Sequence, residues 1–220
     1  MKKNIIKISF VLSALGFING CSNSDAPSLG ETYNPNPANN YTDAQLIEMV
    51  QKDALKYFWD YAESGSKLAR ERYHTDNPSQ DANIVTTGGS GFGLMTILVG
   101  IKNGYISRAE AVSRLTTSLN FLQNANRFHG VWPHWINGTN GQVIPFSQKD
   151  NGGDLVETSF LAQGLICVRE YFKNSSDASE LAISQKADAL WKGIEWNWYT
   201  QNPAAPNMLT WHWSPNYDWQ

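Results

Sequence analysis

The chain of 220 residues is 41% apolar and 17% charged, with formal net charge −3, two cysteines and nine tryptophans. That apolar content excludes a disordered chain, and the acidic balance disfavours nucleic acid as a partner. Two cysteines make neither a disulfide scaffold nor a four-thiolate zinc site.

In chain order, residues 1–20 read as a lipoprotein signal peptide. Lys2, Lys3 and Lys7 form a basic start, and Ile8 to Ile18 is an apolar run shorter than the roughly 20 residues of a spanning helix. Ile18-Asn19-Gly20-Cys21 resembles a lipobox, which makes Cys21 the lipid-carrying first residue of an exported, membrane-anchored protein, facing the periplasm or on the cell surface. An ordinary secretory signal with a chance cysteine is the alternative. Residues 21–40, rich in Ser, Asn, Pro and Gly, read as a flexible tether. The globular domain is expected over 41–220.

Thr42 to Gln45 fits a capping box, and Leu46, Val50, Tyr57, Phe58 and Tyr61 follow at helical spacing, predicting a first helix to about Glu63. A polar stretch leads to a second helix, about Ser90 to Asn103, apolar nearly all round. Ser107 to Glu110 is another capping box, opening a third helix with Val112, Leu115, Leu119 and Leu122 on one face. An aromatic, Gly/Asn-rich stretch from Arg127 to Gly153 includes a turn at Asn137-Gly138 toward Val143-Ile144. A fourth helix, about Asp154 to Phe172, is again mostly apolar, and Cys167 in it is expected to be a buried small hydrophobe. A fifth, amphipathic helix is expected from about Asp177 to Tyr199.

Amphipathic helices thus alternate with helices that must be buried on every side. Connections into the apolar helices are long and those out of them short, which makes antiparallel neighbours. The simplest arrangement is all-α: a ring of helical hairpins with inner helices wrapped by outer ones and the long loops gathered above the inner N-termini. About two and a half hairpins are present, so the ring is incomplete and the domain is read as truncated.

Three carboxylates stand at the start of the fourth helix: Asp150, Asp154 and Glu157. Asp154 and Glu157, at (i, i+3), can simply be a capping pair. Two ionised carboxylates about 5 Å apart also repel by roughly 3 kcal/mol at an effective dielectric near 20, against about 0.3–1 kcal/mol from the helix dipole. Repulsion wins, and one of the pair is expected to keep its proton near neutrality, as a general acid requires. Trp132, His134 and Trp135 beside it, and Trp211 and Trp213 later, are candidate sugar contacts, with a plug under a long loop as the alternative for Trp132 and Trp135. Arg70 and Arg72 are either a solvated charge run or a hydroxyl-binding edge. The glycines of Thr87 to Gly93 lack the Gly-Lys-Ser/Thr of a phosphate loop, the four histidines lack metal-ligand spacing, and no Gly-x-Ser-x-Gly occurs. Neither metal nor cofactor is expected.

Several of these stretches together resemble one family: Arg70 to Arg72, Thr86 to Gly93, Arg127 to Trp135, Ile144 to Glu157 and Trp211 to Pro215 look like the glycoamylase-like lipoproteins of Bacteroidetes, glycoside hydrolase family 144. The resemblance covers about Tyr41 to Gln220, the N-terminal half of such a protein. It implies an (α/α)6 toroid and inverting hydrolysis of a β-glucan, with β-1,2-glucan as substrate. Asp154 and Glu157, with Asp150, match the family's acidic site residues; a further carboxylate lies beyond Gln220. A non-catalytic carbohydrate-binding surface lipoprotein is the rival reading, and a lyase, needing an anionic substrate, fits an acidic chain less well.

Overall fold

Thr42 and Ser107 open helices as their capping boxes require. Each hydroxyl accepts the backbone N–H three residues on, and the side chains of Gln45 and Glu110 reach back to the cap. The structure, a computed structural model, describes residues 41–201 and 208–220. The signal peptide, the tether and Cys21 lie outside the described residues.

Among the described residues, five α-helices and five short strands follow in order: α1 (Asp43–Trp59), β1 (Ile84–Thr86), α2 (Thr87–Lys102), α3 (Arg108–Asn124), β2 (Trp135–Asn137), β3 (Val143–Ile144), β4 (Gly153–Asp154), α4 (Leu155–Phe172), α5 (Ala178–Lys192) and β5 (His212–Trp213). The fold is helix-rich, and the all-α expectation needs the strands added. β1, β2 and β3 form an antiparallel sheet with Val85 opposite Ile136, and β4 pairs antiparallel with β5. Among the described residues, no helix is long and apolar enough to cross a membrane.

Boundaries differ from expectation where side chains compete for the backbone. α1 ends at Trp59 because Glu63 turns back, its carboxylate accepting N–H bonds from Gly65 and Ser66. Leu46 and Val50 are exposed rather than buried, and of α1 only Leu55 is fully enclosed. α5 stops at Lys192 with Gly193 as its cap, and a short 3-10 turn at Trp198–Thr200 replaces its predicted end. Cys167 is half-buried at the core's edge.

The most extensive contact joins α2 to α4, with α1 against α2, α5 against α4, and α3 against α5. α2 and α4 therefore form the inner pair that their all-round apolarity demands. Glycine sets their separation. A Cβ on Gly91 would lie 2.1 Å from the Phe160 carbonyl oxygen, and one on Gly164 2.4 Å from that of Gly91. Alanine in a helix interior gains about 1 kcal/mol over glycine, whereas forced overpacking costs about 1–3 kcal/mol, and backbone cannot yield as a side chain can. Gly91→Ala is therefore expected to destabilise by about 2 kcal/mol in urea unfolding. A midpoint equal to or above wild type would show that α2 and α4 separate freely.

Candidate active site

The carboxylate cluster forms where β4 runs into α4. Asp154 is the helix N-cap: Oδ1 accepts the Glu157 N–H at 2.9 Å. It is fully buried, so its second oxygen also needs partners. Oδ2 lies 2.8 Å from His134 Nδ1 and accepts the Trp211 indole N–H at 3.3 Å. The backbone on both sides is tied down, Asp154 N–H donating to the Trp132 carbonyl at 2.9 Å and Leu155 N–H to that of Trp211 at 2.7 Å. Thus one carboxylate joins α4, the loop before β2 and β5.

Glu157 points elsewhere than its helix neighbour. Its Oε2 accepts the Gly88 N–H at 2.8 Å and the Thr86 hydroxyl at 3.4 Å, at the opening turn of α2. A carboxylate is favoured there by the helix dipole and the unpaired N–H groups. A Cβ at position 88 would sit 2.6 Å from that oxygen, which is why glycine opens this helix and why the helix starts at Thr87 rather than Ser90.

Asp150 comes from the turn before β4, its N–H bound to the Ser147 carbonyl at 3.2 Å and its own carbonyl accepting the Phe146 N–H at 2.9 Å. Its side chain is 9% exposed, and Oδ1 is buried with no hydrogen-bond partner. Burial, then the charge of Asp154, raises its pKa above the ordinary 3.8, while His212 and His134 pull the other way. Among the three carboxyls, Asp150 is thus the one whose surroundings favour its protonated form. Oδ2 of Asp150 is 3.8 Å from His134 Nδ1. Burial disfavours a charged His134, but the hydrogen bond and charge of Asp154, helped by Glu157 and Asp150, outweigh it and raise its pKa above 6.5. The carboxylates around His134 thus favour its protonated form.

The aromatic candidates separate into two groups. Trp211 is 60% exposed at the cluster and Trp135 is half-buried beside it. Trp213 points into a packed group with Phe128 and Trp198, as alternation along β5 requires. Trp132 takes no part in sugar contact: it is fully enclosed, its indole N–H bound to the Leu122 carbonyl at 3.0 Å and the Arg127 guanidinium 4.1 Å over its ring. It is the plug, because a ring facing α3 and α4 has more apolar surface to bury than one at the mouth. Arg70 is also corrected. It is buried, and its guanidinium binds the Pro78 and Gln80 carbonyls, holding the loop before β1 rather than offering an edge to a ligand. Arg72 is exposed and paired with Glu71, a solvated charge run.

Phe146 was not singled out by sequence. Its ring lies parallel to the His134 imidazole at 4.0 Å and edge-on to Trp135 at 5.0 Å, 49% exposed. Its only signal was a position four residues before Asp150. His212, paired across from Asp154, was likewise missed; its Nδ1 is buried without a partner.

This arrangement can be compared with known proteins. The chain is 42% identical over 219 residues to the exo β-1,2-glucooligosaccharide sophorohydrolase (non-reducing end) of Parabacteroides distasonis, covering 99% of this chain and 28% of that protein. It is 53% identical to the solved endo-β-1,2-glucanase of Chitinophaga pinensis in complex with sophorotriose and glucose, with a TM-score of 0.77 over 82% of this chain and 43% of that one. The chain is thus similar to part of bacterial β-1,2-glucan hydrolases. A solved β-1,2-glucanase of Parabacteroides distasonis agrees, 47% identical with a TM-score of 0.75 over 81% of this chain and 25% of that one. No protein-family model matches. The chain spans between a quarter and a half of the length of these relatives.

The raised groups give a pH signature. Above about pH 4.5, the ordinary carboxylate range in which lowered groups such as Glu63 act in the opposite sense, the folded state holds protons on Asp150 and then His134 that the unfolded chain has released. Stability is therefore expected to fall as pH rises through their raised values. Melting temperatures measured from about pH 4.5 to 8.5 should decline, and Asp150→Asn should flatten the lower part of the decline. An identical slope in the variant would mean that Asp150 titrates normally.

Proposed function

We infer that this chain is part of a glycoside hydrolase that cleaves β-1,2-glucan with inversion. The observation that carries the reading is Asp150: a buried carboxyl with a raised pKa, beside a second buried carboxylate and under exposed aromatic rings. A carboxyl whose protonated form is favoured by its surroundings is what protonation of a glycosidic oxygen requires. Trp211 and Phe146 offer flat apolar faces to sugar rings at the same place.

The acid–base pair is completed from outside this cluster. One oxygen each of Asp150 and Asp154 lie within 4.8 Å, closer than the roughly 6.5–9.5 Å that leaves room for an attacking water. Asp150 gives its proton to the leaving oxygen as the glycosidic bond breaks. The water, attacking from the opposite sugar face, passes its proton to a carboxylate across the mouth. Burial, with Asp154 and then Glu157 nearby, favours the proton on the donor.

A closed toroid fits the same reading. α1 leaves Leu46, Ile47 and Val50 exposed, and the inner helix α4 leaves Val156 and Phe160 exposed. Further hairpins, in a protein as long as the relatives, would cover these apolar residues and close the ring. Export as a lipoprotein rests on residues 18–21 alone. Cys21→Ser is expected to move the protein from the membrane fraction to the soluble fraction, and a membrane pool unchanged by it would remove the anchor.

Reducing-end release measures the activity. A protein carrying this chain at its relatives' length is expected to act on β-1,2-glucan and leave starch intact. Asp150→Asn should lower kcat/KM by about 10²-fold or more with the circular dichroism spectrum unchanged. Glu157→Gln should likewise nearly abolish turnover. Full turnover by the Asp150 variant, or starch as the preferred substrate, would sink the reading.

A further inference from the structure

Spacing along the chain offers no metal motif, yet the fold gathers three donors from separate segments. His134 precedes β2, Asp150 lies in the turn before β4, and Asp154 caps α4. One ligand atom of each lies within 4.8 Å of the other two. We propose that His134, Asp150 and Asp154 bind a divalent transition-metal cation of the zinc type.

Two further observations point to a ligand. Asp150, more than nine-tenths buried, has an oxygen with no partner, while its other oxygen lies 3.8 Å from the same His134 nitrogen that meets Asp154 at 2.8 Å. The side chain is therefore directed into the cluster with hydrogen-bonding capacity unused, a state that costs free energy when buried. His212, directly opposite Asp154 in the β4–β5 ladder, contributes a second buried nitrogen without a partner.

Geometry and donor chemistry set the class of ion. Zinc bonds imidazole nitrogen at about 2.0–2.1 Å and carboxylate oxygen at about 2.0–2.2 Å, so donors already this close need small side-chain movements to share one ion. An imidazole among the donors favours zinc over calcium, which takes six to eight oxygens. Three protein donors leave a position open, and His134 is 19% exposed, so an ion can enter from the surface. Cation binding needs only this chain's side chains and is tested without turnover, although Asp150 also figures in the hydrolase reading.

Calorimetric titration of the full chain with zinc chloride, near neutral pH in a non-chelating buffer, tests this. One zinc per chain is expected, at micromolar affinity or tighter, with no heat from calcium chloride. Asp150→Asn should weaken zinc by about tenfold or more. Glu195→Gln, which touches only the exposed pair with His129, should leave it unchanged. Because a buried substitution can disturb folding, X-ray absorption of the wild-type zinc complex gives a second readout, expected to show imidazole and oxygen ligands. Absence of binding, undiminished affinity in Asp150→Asn, or a sulfur-dominated shell from the cysteines would overturn the assignment.

Discussion

The enclosure of Asp154 is the constraint on which the site depends. A carboxylate taken fully out of water must meet strong partners on both oxygens, and here those partners come from three segments: the first turn of α4, His134 and Trp211. The cap makes the helix begin where it does. The imidazole fixes the loop leading into β2, and the indole fixes the start of β5. Loss of the carboxylate would leave three elements without a common anchor.

Placement of the site follows from the inner helix pair. α2 and α4 touch backbone to backbone through Gly91 and Gly164, so their first turns arrive close together. That proximity lets Glu157 leave its neighbour and serve the N-terminus of α2 through the Gly88 N–H. The two carboxylates one helical turn apart therefore each have their own donors. The crowding falls on Asp150, which has no donor at Oδ1 and sits beside the Asp154 charge.

Much of this was legible in the amino-acid order, because the strongest signals were local. Both capping boxes, the two all-apolar helices, the Asn137 turn between β2 and β3, and the acidic start of α4 depend on neighbours within a few residues. What sequence could not resolve depended on distant partners. The Thr87–Gly89 stretch reads as a loop by propensity and is helix because Glu157, far along the chain, stabilises its first turn. Trp132 and Trp135 look alike in sequence, and only packing against α3 and α4 makes one a plug. β1 was missed because three residues carry too little periodicity. The raised pKa of Asp150 was illegible for the same reason: it depends on burial, which segments distant in sequence provide.

The central claim concerns where one proton resides. Carbon-13 NMR of the side-chain carboxyls, followed through a pH titration of wild type and of Asp150→Asn, reads it directly. A single aspartate resonance should titrate well above its companions, and it should vanish in the variant. Were every aspartate to release its proton in the usual acidic range, the site would have no acid to offer a sugar, and the chemistry assigned to it would fail.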